Sequence, residues 1–366
     1  MKDEALIVIM PTSADQADNP RLAAVLAQAL AEVTPIYLRS AEAVVDYFSR
    51  ERVAAGAPFR RLLFVVDLGA WGVNLEYSRL LAAIRAHADL FDGWLGGVIV
   101  DAASDLYTKS TAQELVLAAN MSGCAFVGRS LVEGTASLSN FTITARRMNC
   151  DLQGAYAESA EGLVQAVMHF EGYHRVMPKL TVLHASNHKK SNTFALWHAV
   201  SGALEGFAIE EIGLRNGTLQ DCSGCPYKMC LHFGEKESCF YGGIMVDNVY
   251  PSIRAADAIV MICPNYNDSI SANLSACINR LTALYRKRQF YDKAVFAIIV
   301  SGYSGCDILA KQLIAALNMN KGFYLPARFA LMAMGNEPGD VAKLPDIDAR
   351  IAAFAQGITD TFRGRN

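Results

Sequence analysis

The chain has 366 residues, enough for two domains at roughly 100–200 residues each. Apolar residues make up 52% and charged residues 19%, which supplies a globular core and is too hydrophobic for disorder. Thirty-three basic residues against 36 acidic ones leave a net charge of −3, and no Lys/Arg run is long enough to track phosphates, so nucleic-acid binding is disfavoured.

In chain order, Asp3 and Glu4 precede the short apolar run Ala5–Met10, which reads as a first β-strand and not as a signal peptide. No apolar run approaches the roughly 18 residues of a membrane span. Nine cysteines without an export signal point to a reducing compartment, so the expected location is the cytoplasm, away from the membrane. The apolar runs Leu62–Asp67 and Val98–Val100 read as further strands, and Leu115–Met121 as a helix. A polar stretch, Tyr173–Lys179, contains Pro178 and separates an N-terminal half, 1–178, from a C-terminal half, 179–366.

The second half repeats the first. Tyr291-Asp292 leading to Ile298–Val300 matches Phe91-Asp92 leading to Val98–Val100, and Leu313–Met319 matches Leu115–Met121. Ala258–Cys263 pairs with Leu62–Asp67, Gly213–Arg215 with Tyr37–Arg39, and Leu180–Ala185 with Ala5–Pro11. Matching order over several elements reads as an internal duplication. The strands expected in this half are Leu180–His184, Ala208–Ile212, Ala258–Cys263, Ala294–Ser301 and Phe329–Met334, with helices at Asn192–Leu204 and Ala272–Arg286. Uninterrupted apolar strands separated by amphipathic helices imply a parallel sheet covered on both faces. The expectation is an α/β protein of two tandem doubly wound domains, each on a parallel five-stranded sheet, with ligands at the strands' carboxyl ends.

Three loops at such ends carry chemistry. Ala185–Thr193 holds Ser186, Lys189, Ser191, Asn192 and Thr193, the hydroxyl, amide and cationic groups that hold a phosphate at a helix N-terminus. It lacks the spaced glycines of a Walker A loop. Pro264, Asn265, Tyr266 and Asn267 open the second loop, and Ser301, Gly302, Ser304 and Gly305 form the third, where glycine lets backbone approach a planar ring.

With Ser186, Ser191, Asn192 and Thr193, then Pro264-x-Tyr266 running to Ser271-Ala272, then Ser301-Gly302 and Gly305, residues 179–340 resemble the NAD(P)H-dependent FMN reductases of the flavodoxin-like superfamily. The resemblance implies FMN with its phosphate on Ser186–Thr193 and its ring against Pro264–Asn267 and Ser301–Gly305. It also implies NAD(P)H as reductant and a small acceptor or redox protein as electron partner. The first half departs from that pattern. Its first loop carries Asp15 and Asp18 and no lysine, its second, Leu68–Gly72, has no Pro-x-Tyr, and Asp101–Ser104 lacks glycine, so it is expected to hold no FMN.

Cys222, Cys225, Cys230 and Cys239 fall within 18 residues, 222–239. Four thiolates on one loop suit zinc or an iron–sulfur cluster. The arrangement is similar to the cluster loop of the iron–sulfur flavoproteins, with longer spacings here. A [4Fe–4S] cluster is the first expectation, four free thiols forming a lid over the flavin the second, and zinc the third. Cys263 and Cys277 read as core residues. The functional expectation is an FMN-dependent oxidoreductase. Its rivals are an electron-transfer iron–sulfur flavoprotein without its own substrate and a thiol-based redox sensor or scaffold. Reductases of the resembled family pair two subunits, which implies a pseudo-dimer within the chain, with homodimerisation also open. Trp71 and Trp94 are the candidate contacts.

Overall fold

The computed structural model describes residues 5–13, 18–51, 58–186 and 191–363. Two units divide the chain, Met1–Glu171 and Gly172–Asn366. Strands of the first are β1 (Leu6–Ile9), β2 (Pro35–Leu38), β3 (Arg60–Leu68), β4 (Trp94–Ala102) and β5 (Ala125–Gly134). All pair in parallel, in the order β2-β1-β3-β4-β5. Strands of the second are β6 (Lys179–His184), β7 (Ala208–Gly213), β8 (Ala258–Pro264), β9 (Ala294–Ser301) and β10 (Ala330–Met334). They too are parallel, in the order β10-β9-β8-β6-β7, the same topology read from the opposite edge.

The unbroken apolar runs explain this arrangement. Leu62–Val66 of β3 and Ile259–Cys263 of β8 are fully buried, side chains on both faces included. Only a sheet covered twice over can bury them, and parallel strands supply the cover through their crossover helices. Asn19, Ser40, Asn74 and Asp151 each accept a backbone N–H at the start of a helix, which fixes where those crossovers begin. Among the described residues no helix is long and apolar enough to cross a membrane.

The duplicated helical motif behaves alike in both units. Asn120 and Asn318, aligned by sequence, are both fully buried. The Asn120 amide donates to the carbonyl of Cys124 (2.9 Å) and that of Asn318 to Phe323 (2.8 Å), each tying a helix end to the following segment. In the second unit this stretch winds as π-helix, Ile314–Asn320, where the first unit keeps regular α-helix.

Three sequence expectations meet specific outcomes here. Residues 172–178 join the second unit, ahead of the expected boundary at 178/179. The Tyr173 hydroxyl donates to the Tyr291 carbonyl (2.7 Å), and Arg175 pairs with Asp257 (2.7 Å) while its N–H reaches the Phe362 carbonyl (2.9 Å). Trp94 is only 2% exposed and packs 4.7 Å from the Phe48 ring, within the core of its own unit. Cys263 and Cys277 are fully buried core residues, their thiols pushed up to about 12 by burial.

At the carboxyl ends of β3 and β4 the first unit is filled by its own side chains. Arg21, from helix Pro20–Ala29, grips the fully buried Asp101 with Nη2 at 2.6 Å and Nε at 3.1 Å, and donates to the carbonyls of Thr135 (2.9 Å) and Ala102 (3.0 Å). Asn19 donates to both Asp67 and Asp101 (2.9 Å each). Removing one partner of such a pair strands a buried charge, at about 3–5 kcal/mol. Arg21→Ala should therefore lower the stability of this unit by about that amount in urea unfolding; a loss within error would show that Asp101 does not depend on Arg21.

Candidate functional site

Because all strands of the second unit run the same way, the loops after β6, β8, β9 and β10 emerge on one edge of its sheet. The switch point lies between β6 and β8, where successive crossovers leave in opposite directions. A cleft of about 840 Å³ opens there, lined by residues of all four loops.

The β6 loop contributes Ser186, Ser191, Asn192 and Thr193; Lys189, also expected in the site, lies outside the described residues. Ser191 precedes helix Asn192–Gly202 without capping it by its side chain, because its hydroxyl bonds that of Thr193 (2.6 Å). The first-turn N–H groups therefore keep their capacity for an anion. Asn192 does something the sequence did not reveal. Its amide donates to the carbonyls of Gly335 (3.1 Å) and Glu337 (2.9 Å), and its oxygen accepts the Gly339 N–H (2.8 Å). That side chain clamps the β10 loop, which leaves its backbone to serve the cleft.

The β8 loop turns tightly. Tyr266 and Ser269 bridge, and Asn267 and Asp268 both adopt left-handed φ values of 55° and 54°, as a type I′ turn demands. Asn265 holds the neighbouring β9 loop through its amide, which donates to Ser301 Oγ (3.0 Å), the Ser304 carbonyl (3.2 Å) and Asp268 Oδ1 (3.2 Å). Its own Oδ1 is buried with no hydrogen-bond partner among the described residues. Ser301 donates in turn to the Ser304 carbonyl. Gly302 and Ser304 line the cleft, whereas Gly305 stands behind it. At φ +88°, a Cβ on Gly305 would lie 2.4 Å from Asp268 Oδ1, so only glycine lets the two loops close.

Sequence reasoning missed Gly335, Asn336 and Pro338 of the β10 loop; Asp268 and Tyr303, in loops it did single out, also line the cleft. The Gly-Asn-x-Pro-Gly run straight after a strand was the available turn signal. Tyr266 and Tyr303 are 57% and 79% exposed at the mouth. His184, at the end of β6, has its pKa lowered chiefly by burial, against the opposing charge of Glu211. Its Nδ1 lacks a hydrogen-bond partner among the described residues, and the Phe194 ring meets it edge-on at 4.5 Å.

A second cavity, about 220 Å³, is lined by Cys222, Cys225, Cys230 and Cys239 together with Arg280 and Arg286. Helix Tyr227–Glu235 carries Cys230. The four cysteines border one cavity, with all thiols free. Among the described residues, however, no three Cys, His, Asp or Glu side chains are placed to hold a single metal ion.

Residues 178–337, which contain every lining residue of the cleft except Pro338, match the family model described as NADPH-dependent FMN reductase. That stretch of the second unit is similar to the family. Among solved structures, an NAD(P)H:quinone oxidoreductase from Methanothermobacter marburgensis is 16% identical, with a TM-score of 0.39 over 50% of this chain and 98% of that one. An FMN-dependent NADH-azoreductase from Bacillus anthracis str. Ames Ancestor, in complex with FMN, is 13% identical, with a TM-score of 0.36 over 50% and 99%. An azoreductase from Bacillus anthracis str. Sterne is 15% identical, with a TM-score of 0.38 over 51% and 100%. No curated protein matches the chain.

The cleft fits FMN by its own features. Its volume lies within the roughly 300–1,000 Å³ of small-molecule sites, its hydroxyls and helix N–H groups suit a phosphate, and the stranded Asn265 oxygen awaits an N–H donor. Gly305→Ala should drive Asp268 and Asn265 apart and raise the FMN dissociation constant at least tenfold, ~1.4 kcal/mol, with unchanged circular dichroism; equal affinity would contradict the loop closure described. His184 predicts an acid-side effect. Its folded pKa lies below the ordinary value of about 6.5, so both states are neutral above that pH and it contributes no pH dependence there. As pH falls, the unfolded chain takes the proton first and stability drops. His184→Gln should flatten that part of the loss in urea midpoints measured between about pH 7 and pH 5; an unchanged slope would contradict it.

Proposed function

We propose that the C-terminal unit binds FMN in this cleft and transfers reducing equivalents from NAD(P)H to a small-molecule acceptor or a redox protein. The observation that carries the reading is the convergence of four strand-end loops on one cleft, all but Pro338 of its lining within the segment that matches the reductase family. FMN supplies the redox chemistry when bound, taking up hydride and releasing electrons, and the protein supplies its position, electrostatics and access.

The chain's residues divide that work. Ser186, Ser191 and the first-turn N–H groups of Asn192–Gly202 receive the phosphate. Asn265 offers its buried oxygen to the ring, and Gly302 lets the ring approach the β9 backbone. Asn192 and Gly305 hold the loops together without touching it. Tyr266 and Tyr303, exposed at the mouth, form the surface on which nicotinamide and acceptor stack in turn. The four cysteines of 222–239 border their own cavity as free thiols.

One FMN per chain is expected. The corresponding edge of the first unit presents Asp67 and Asp101, already engaged by Asn19 and Arg21, and two carboxylates oppose a phosphate. The test is flavin quantitation on reconstituted protein together with steady-state oxidation of NADH and NADPH in the presence of a quinone. One FMN per chain with turnover is predicted. Ser186→Ala/Ser191→Ala should weaken FMN binding at least tenfold, since a hydrogen bond to a charged group contributes about 1.5–3 kcal/mol. Two flavins per chain, or one flavin without turnover, would contradict the proposal.

A further inference from the structure

The cavity of about 220 Å³ beside the cysteine loop has a mostly apolar wall, with two guanidiniums in it and no carboxylate. One guanidinium is that of Arg280, only 2% exposed. Its Nη1 and Nη2 donate to the carbonyls of Gln220 (3.3 Å) and Gly242 (2.7 Å), and its Nε is buried with no hydrogen-bond partner among the described residues. A buried guanidinium served only by carbonyls is costly unless an anion balances it. The other is that of the half-buried Arg286, which stacks over the Tyr227 ring at 4.5 Å and donates from Nε to Cys230 Sγ at 3.4 Å. Stacking occupies its face and the thiol takes its Nε, so the in-plane edge of Nη1 and Nη2 keeps its donors, which no protein group accepts among the described residues. That edge can grip a carboxylate with two parallel hydrogen bonds.

A third cation stands close by. Lys321, 6% exposed, lies within electrostatic range of Arg286 and Cys222, and its pKa is lowered by burial and then by Arg286. None of the three cations forms an ion pair among the described residues. The apolar wall says what a balancing anion carries with it. Met229, Phe233, Phe240 and Ala283 line the cavity, and Phe233 and Phe240 meet edge-on at 5.7 Å, an arrangement that favours a further aromatic ring. An inorganic anion alone would leave those side chains facing water. An apolar cavity of about 150 Å³ holds benzene, so about 220 Å³ holds such a ring with a carboxylate, and it falls below the roughly 300–1,000 Å³ of larger ligands. Asp221 holds the rim, accepting the Cys222 N–H (2.6 Å) and the Asn279 amide (3.1 Å).

We propose that this cavity is a binding site for a small aromatic monocarboxylate, with the carboxylate on the Nη edge of Arg286 and the ring against Met229, Phe233 and Ala283. Arg280 and Lys321 add positive field without needing to touch the ligand. Cys230 fixes the Arg286 guanidinium through Nε, which turns the remaining edge into a set fork. No residue lines both this cavity and the strand-end cleft, so the proposal does not rest on the flavin reading.

The experiment follows para-fluorobenzoate binding to the full chain by fluorine NMR, with and without excess FMN. Para-fluorobenzamide is the uncharged analogue, and inorganic phosphate, as a competitor, is the anion without a ring. The benzoate should bind saturably with a dissociation constant of about 1 mM or tighter, whether or not FMN is present. The amide and phosphate should each bind at least tenfold more weakly. Arg286→Gln should weaken benzoate binding at least tenfold with unchanged circular dichroism, and Arg286→Lys, which keeps the charge and loses the fork, should weaken it less. A second measurement needs only the wild-type chain. Benzoate at about ten times its dissociation constant should slow iodoacetamide alkylation of Cys230 about tenfold and leave the exposed Cys150 of the first unit unaffected. No saturable binding, equal binding of the amide or of phosphate, displacement by FMN, undiminished affinity in Arg286→Gln, or an unprotected Cys230 would each overturn the proposal.

Discussion

A parallel sheet buried on both faces can offer polar chemistry only where its strands end, and both units of this chain live under that constraint. Strands such as Leu62–Val66 and Ile259–Cys263 are sealed completely, so specificity must come from the loops that leave their carboxyl ends. In the second unit those loops are fastened to each other and not merely adjacent. Asn192 links the β6 helix to the β10 loop, Asn265 links β8 to β9, and Gly305 allows the last pair to close. The cleft is the space that these fasteners leave. In the first unit the same edge is occupied by Arg21, Asn19 and two carboxylates, which turns an opening into a structural ion-pair network. One topology thus carries two solutions, decided by a few side chains at the switch point.

Hydrogen-bond satisfaction separates structural polar groups from those that face a cavity. Asn120 and Asn318 are fully buried, and each amide donates to a nearby carbonyl, as expected of groups that hold a fold together. The Asn265 oxygen and the Arg280 Nε are buried with no partner among the described residues, and each residue lines a cavity. A buried polar atom left unpaired costs about 1–3 kcal/mol, so its position beside an opening is evidence about what the opening is for.

Much of this was legible in the sequence, for identifiable reasons. Leu180–His184, Ala258–Cys263 and Ala294–Ser301 coincide with β6, β8 and β9 to within one residue, because uninterrupted apolar runs of that length have few other ways to be buried. The loops after those three strands were found from their hydroxyl, amide and glycine content. The β10 loop was missed because its contribution is made through Asn192, 143 residues away in sequence. Arg21 and Arg280 look in sequence like ordinary charged positions on helices, and only the packing around Asp101 and around the cysteine cavity gives them a role. Trp94 was named as a candidate contact between the halves, and sequence does not show that its ring packs on Phe48 inside its own unit. The boundary was set late because contacts such as Arg175–Asp257 bind residues 172–178 to the second unit across a distance that the local pattern cannot express.

The account's central claim is that the second unit's strand-end cleft, and not the equivalent edge of the first, is the flavin site. A crystal structure of the full chain grown with FMN tests it most directly. The account predicts one FMN per chain, with its phosphate at Ser186–Thr193 and its ring between Pro264–Asn267 and Ser301–Gly305, and with the Arg21–Asp101 pair intact. Flavin density at the carboxyl ends of β3 and β4, or a ring placed away from Asn265 and Gly302, would contradict it.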